Sequence, residues 1–116
     1  MLNKTADNRR KARPEVDQLI FVQDSVQGGE LGNIVNLSED GFVLIGKGKL
    51  KINCLYQLIF NLSKPVDNIQ QLSVGAECLW LKETVGGGHY WAGFQVIDIS
   101  DDDRNTIHKI VRNLLA

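Results

Sequence analysis

Arg9 and Arg13 stand four residues apart in the run Arg9-Arg10-Lys11-Ala12-Arg13, and a second cluster reads Asn36-Leu37-Ser38-Glu39-Asp40-Gly41. Arginine offers a planar fork of N–H donors that meets an oxyanion bidentately and also stacks on an aromatic face, so the first cluster suits anion capture. Asn36 and Ser38 are two residues apart, so on a strand their short polar side chains share one face. The Asn36 amide can donate or accept a hydrogen bond. Gly41 allows a positive φ or a close backbone approach. Each cluster alone is ordinary, because basic tails often contain Arg-x-x-x-Arg and Asn-x-Ser-x-x-Gly is also common turn chemistry.

The two clusters sit in differently charged parts of the chain. Its 116 residues carry 13 Lys+Arg and 14 Asp+Glu, a net charge of −1. Residues 1–14 set Lys4, Arg9, Arg10, Lys11 and Arg13 against Asp7 alone, which places a +4 arm on a −5 body. The arm has no hydrophobic periodicity and is expected to be flexible, either as a solvated tail or as an arm that orders on its ligand. The body, residues 15–116, is expected to be one domain, with 43% hydrophobic and 23% charged residues overall. A near-neutral total argues against a general polyanion binder. No apolar run reaches the about 18 residues needed to span a bilayer, and the N-terminus has no signal-peptide pattern. No membrane insertion and a cytoplasmic location are therefore expected. Cys54 and Cys78, both in apolar surroundings, read as buried free thiols.

The elements that must position these residues read as strands followed by one helix. Val16 to Val22 is a short apolar-rich run, and Gly28-Gly29 signals a reversal. Leu31 to Leu37 leads into the turn-rich Ser38-Glu39-Asp40-Gly41, and Phe42 to Ile45 is apolar again. Leu55 to Leu62 alternates, with Leu58, Phe60 and Leu62 on one face and Gln57, Ile59 and Asn61 on the other. Ile69 to Thr84 is long for one strand, and Gly75 marks a bulge or bend within it. Gly86-Gly87-Gly88 reads as a loose hairpin loop before the alternating run His89 to Ile99. The period then changes. Ser100 and Asp103 have the form of a capping box, Asp101 to Asp103 suit the positive helix end, and Ile107, Ile110, Val111, Leu114 and Leu115 form one apolar face. The pattern predicts a small antiparallel barrel with a helix, about residues 101–115, packed on it.

Taken in this order, with about 22 residues between them, the two clusters resemble the PilZ domain, a bacterial receptor module for cyclic di-guanylate (c-di-GMP). The resemblance covers nearly the whole chain. It implies an all-β fold with one C-terminal helix: a small six-stranded antiparallel β-barrel of the PilZ-like split-barrel type, preceded by an arm with Arg-x-x-x-Arg. Gly41-Phe42-Val43-Leu44 looks like the strand after the second motif, and Trp91-Ala92-Gly93-Phe94-Gln95 looks like the late strand with Gly followed by Phe. Asn53 stands where many members have a turn Gly, and Asn8 where members that hold a stacked ligand pair often have a further arginine.

The implied ligand presents two phosphates and two guanine edges. Arg9 and Arg13 would grip these bidentately, with Arg10 as an extra phosphate contact. Asn36 would accept from guanine N1–H or N2–H₂, Ser38 would meet the sugar-phosphate, and Gly41 would let the backbone come close. Trp80 is read as an apolar wall of the site or, with at least equal weight, as a core residue. Ordering of the arm would alter the surface offered to an unidentified downstream protein.

No catalytic set assembles, so no enzyme activity is expected, and no cofactor other than c-di-GMP as ligand. His89 and His108 have no partner at metal-ligand spacing, so no metal is expected either. Gly46-Lys47-Gly48-Lys49 lacks the phosphate-loop pattern and reads as a hairpin turn. Two alternatives stay open. One is a degenerate PilZ-like protein-interaction module, and the other is a small barrel that binds nucleic acid through the arm. Against the second, most of the eight aromatics fall at core-like alternating positions, and a body of −5 would repel a polymer. No nucleic-acid polymer is expected as a partner.

Overall fold

Alternation of apolar residues builds six antiparallel strands: β1 (Ile20–Asp24), β2 (Glu30–Leu37), β3 (Gly41–Gly46), β4 (Leu55–Val66), β5 (Ile69–Glu83) and β6 (Tyr90–Ile99), followed by helix α1 (Asp101–Leu115). The computed structural model describes residues 18–115, with side chains as far as Asn113. The basic arm with Arg9, Arg10 and Arg13 lies outside the described residues, as do the start of the Val16–Val22 run and the side chains of Leu114 and Leu115. The strands close in the order β1-β2-β3-β6-β5-β4, with β1 pairing both β2 and β4. Closure leaves no sheet edge to be protected.

The interior is lined by residues at the alternating positions. Leu58, Phe60 and Leu62 of β4 are buried, and so are Phe42 and Leu44 of β3. Phe42 is the hub. Its ring stacks on Phe94 at 4.9 Å and 8°, and meets Phe60 edge-on at 5.0 Å and 85°. Helix α1 turns Ile107 and Ile110 into the same buried cluster. Ser100 caps it, accepting from Asp103 N at 3.1 Å, but the reciprocal half of the capping box does not form. The Asp103 carboxylate instead accepts from Ser73 N at 3.0 Å and ties the helix start to β5. Lys109 pairs with Asp67 in the β4–β5 turn.

Two connections differ from the reading of the sequence. Gly46-Lys47-Gly48-Lys49 does not make a hairpin, because β3 pairs with β2 and β6 and never with β4. The glycines and lysines begin a longer crossover, residues 47–54, which carries the chain to the far side of the barrel. A tight hairpin does lie between β4 and β5. There Asp67 (φ 50°) and Asn68 (φ 69°) form a two-residue turn closed by the Val66–Ile69 pair. Both central residues are left-handed, as in a type I′ turn, which Asp and Asn tolerate.

Asn53 ends the crossover in the left-handed region, φ 64°. Its N–H donates to Cys78 O at 2.7 Å, while Cys78 N donates to Cys54 O at 2.9 Å. This is the pattern of a G1-type bulge whose first residue is usually glycine. Asn is the next best occupant because its short polar side chain tolerates that backbone. Asn53→Ala should destabilise the protein by about 1 kcal/mol, and Asn53→Gly should not. Urea midpoints of the two variants check this; equal midpoints would remove the bulge from the account of stability.

Candidate functional site

Cross-strand register brings part of the expected site into one line on the outside of the barrel. Asn36 of β2 pairs with Val43 of β3, Val43 with Gly93 of β6, and Gly93 with Trp80 of β5. Directly opposed residues share a face, so Asn36, Val43, Gly93 and Trp80 form a row across four neighbouring strands. Three inter-strand steps make the row about 14 Å long. Asn36 is exposed beside buried Leu37, and its amide has no partner among the described residues.

Two bulges set this line. A register shift between Ile34 and Asn36 leaves Val35 unpaired. A second, between Cys78 and Trp80, breaks the alternation of β5. Cys78 is fully buried and Trp80 is 42% exposed, although simple alternation would put both inside. The core reading of Trp80 is therefore set aside. Trp91, on the adjacent strand, is 40% exposed, and Phe21 also reaches the surface. The expectation that most aromatics are core residues fails at these three, while Phe42, Phe60 and Phe94 meet it.

Glycine is needed at two places in the site. A Cβ at Gly93 would overlap the Trp80 indole, which covers that backbone. A Cβ at Gly41 would lie 2.6 Å from Phe94 O, so close strand approach, not a positive φ, selects glycine there. In Gly93→Ala the indole must swing off the sheet. With Trp91→Phe as background, Trp80 emission should shift to the red; unchanged emission would mean that the indole does not rest on Gly93.

Ser38 is exposed next to Asn36, as the spacing predicts, but its hydroxyl is already engaged. It donates to Gly41 O at 3.1 Å and accepts from Gly41 N at 3.2 Å, clamping the β2–β3 turn. The turn is fastened further by groups that sequence reasoning missed. Val96 N donates to Asp40 O at 2.9 Å, Arg104 Nη1 donates to Glu39 O at 3.4 Å, and His108 pairs with the Glu39 carboxylate. Nothing in the local sequence pairs residue 39 with residues 104 and 108; only the helix packing does. The half-exposed His108–Glu39 pair contributes at most about 1 kcal/mol, so it orients the turn more than it stabilises the fold.

Beside the row, Trp80, Lys82, Glu83, Thr84, Val85 and Trp91 line a shallow groove of about 480 Å³. Its two indoles suit a planar ligand, while the Lys82 ammonium and the Glu83 carboxylate offset one another in charge. Among the described residues no group of three or more His, Cys, Asp or Glu could hold a metal ion, and no helix is long and apolar enough to cross a membrane.

Comparison with known proteins gives four findings. A family model described as the PilZ domain matches residues 7–113. The Bacillus subtilis inhibitor of motility MotI (DgrA) superposes with a TM-score of 0.65 at 13% identity, over 84% of this chain and 47% of that one. Escherichia coli YcgR, solved in complex with c-di-GMP, superposes with a TM-score of 0.64 at 15% identity, over 84% of this chain and 41% of that one. At such identities the likeness shows the fold, a six-stranded barrel with a C-terminal helix. A rat protein, intercellular adhesion molecule 1, is 28% identical over 94 residues, which cover 81% of this chain and 16% of its own length. So small a fragment brings no function with it. The chain spans less than half of either solved relative.

Proposed function

This chain belongs to the PilZ domain family, and we propose that it is a bacterial c-di-GMP receptor that acts by binding and not by turnover. PilZ domains are c-di-GMP-binding modules, and YcgR is a structural relative solved with that ligand. The observation that carries the reading for this chain is the outer-face row. It sets an exposed amide at Asn36, without a partner among the described residues, and an exposed indole at Trp80 at opposite ends of a strip floored by Val43 and Gly93.

In this reading Arg9 and Arg13 clamp the phosphates and guanine edges bidentately, and Arg10 adds a phosphate contact. Asn36 accepts from a guanine Watson–Crick edge, and the indole of Trp80 supplies an apolar wall. Ser38 and Gly41 act chiefly by shaping the turn, since the Ser38 hydroxyl is already bonded to Gly41. The arm, residues 1–14, orders over the strip, and the altered surface is read by a downstream protein. The same reading places the chain in the bacterial cytoplasm.

Titration calorimetry with c-di-GMP tests this. Micromolar or tighter binding that is lost in Arg9→Ala and Arg13→Ala supports the receptor. Exposed Trp80 and Trp91 also resemble a stacking platform, which keeps a nucleic-acid reading open to the same experiment. No heat with c-di-GMP but salt-dependent binding to oligonucleotides would move the assignment there. Silence with both ligands would leave a protein-interaction module.

A further inference from the structure

Cys54 and Cys78 are brought face to face by the bulge at Asn53. Leu55 pairs with Glu77, and the next step along the ladder sets Cys54 against Cys78, joined by the Cys78 N to Cys54 O bond of 2.9 Å. Cys54 is the last residue before β4, two and four residues ahead of the half-buried Tyr56 and the buried Leu58. Cys78 is fully buried, Cys54 is partly exposed, and both are free thiols. Directly opposed residues of an antiparallel pair have Cα atoms about 4.5–5.5 Å apart. That lies inside the about 4.4–6.8 Å range of disulfides. In the thiol state Cys78 Sγ donates to Trp80 O at 3.8 Å, across the bulge that turns Trp80 outward.

We propose that Cys54 and Cys78 are a dithiol redox site that closes to a reversible cross-strand disulfide by exchange with a low-molecular-weight disulfide such as oxidised glutathione. The accessible Cys54 loses its proton to solvent, and its thiolate attacks one sulfur of oxidised glutathione. The glutathione S–S bond breaks, one glutathione leaves and takes up a proton, and a mixed disulfide remains on Cys54. Cys78 then loses its proton, attacks Cys54 Sγ and expels the second glutathione, which is protonated in turn. The protein gives up two electrons and two protons, and one glutathione disulfide becomes two thiols. Burial pushes the Cys78 thiol up, which makes the second step the slow one. The product has no S–H to offer the Trp80 carbonyl, so the redox state is felt beside the bulge that places Trp80.

The test is intact mass analysis of the full chain after incubation with oxidised glutathione at mildly alkaline pH, followed by iodoacetamide. The expected product has lost two hydrogen masses, takes no alkyl group, returns to the dithiol with dithiothreitol, and gives a peptide joining Cys54 to Cys78. Cys78→Ser should stop at one glutathione adduct, and Cys54→Ser should stay reduced. In Trp91→Phe, Trp80 emission should change on oxidation and recover on reduction. A stable glutathione adduct on the unsubstituted chain, a disulfide-linked dimer, or a chain that keeps the mass of the dithiol and takes two alkyl groups once denatured would each overturn the proposal. None of these readouts requires c-di-GMP, so the outcome is independent of the receptor reading.

Discussion

Arg9→Ala and Arg13→Ala are each expected to weaken c-di-GMP binding at least tenfold, and the double variant to bring it below detection by calorimetry. A charge-assisted hydrogen bond contributes about 1.5–3 kcal/mol, and about 1.4 kcal/mol is a factor of ten. Each guanidinium can place two such bonds on a phosphate or on guanine O6 and N7. Arg9→Lys and Arg13→Lys keep the charge but not the fork, so they should recover only part of the affinity. The +4 arm adds attraction for a small dianion that salt will screen. The loss in the alanine variants should therefore shrink, but not vanish, at high ionic strength. Asn36→Ala removes a neutral hydrogen bond, for which about 0.5–1.5 kcal/mol is expected, and so ranks below either arginine. Wild-type affinity in both arginine variants would remove the arm from the site and with it the receptor reading in its present form.

How far the sequence could be read depended on where alternation holds. It holds along β4, where Leu58, Phe60 and Leu62 are buried as their spacing requires. The long run is one strand, Ile69–Glu83, but the register shift at Gly75/Ala76 puts the extra residue, Ile97, in β6 and not in β5 as the glycine suggested. The asparagine and serine of the second motif do share the outer side, one to each side of buried Leu37. Alternation fails beyond Cys78. One extra residue in β5 inverts the faces that follow, so Trp80, read from the sequence as either a site wall or a core residue, lies at the surface. A bulge of this kind has no local signature when the residue concerned is Leu79 and not a glycine or proline. The row from Asn36 to Trp80 was hidden for a second reason. It depends on β3 pairing with β6 and β6 with β5, and strand order is set by the closure of the whole barrel. The hold of Arg104 and His108 on Glu39 spans 65 and 69 residues and follows from how the helix docks. The family motifs located the turn, whereas what steadies it needed the tertiary structure.

Phe42→Ala is expected to lower the unfolding free energy by about 3–5 kcal/mol, the largest stability loss of any variant considered. The ring is almost wholly buried, lies parallel to Phe94 and takes Phe60 on its edge. Its removal therefore forfeits transfer free energy, leaves a cavity, and loses two aromatic contacts of about 0.5–1.5 kcal/mol each. Domains of this size have about 5–15 kcal/mol in total, so the variant should sit close to its unfolding transition. Phe42 also lies between Gly41 and Val43 and pairs with both Leu37 and Phe94. Loosening it disturbs the register that sets Asn36 opposite Val43 and Val43 opposite Gly93. Affinity for c-di-GMP should fall together with stability. Phe42→Leu keeps most of the volume and should lose less of both. Urea unfolding followed by circular dichroism separates this from the arginine variants, whose midpoints should match wild type while their affinity drops. An unchanged midpoint in Phe42→Ala would mean that the barrel does not depend on the three-ring cluster. The register of the outer row would then need some other support.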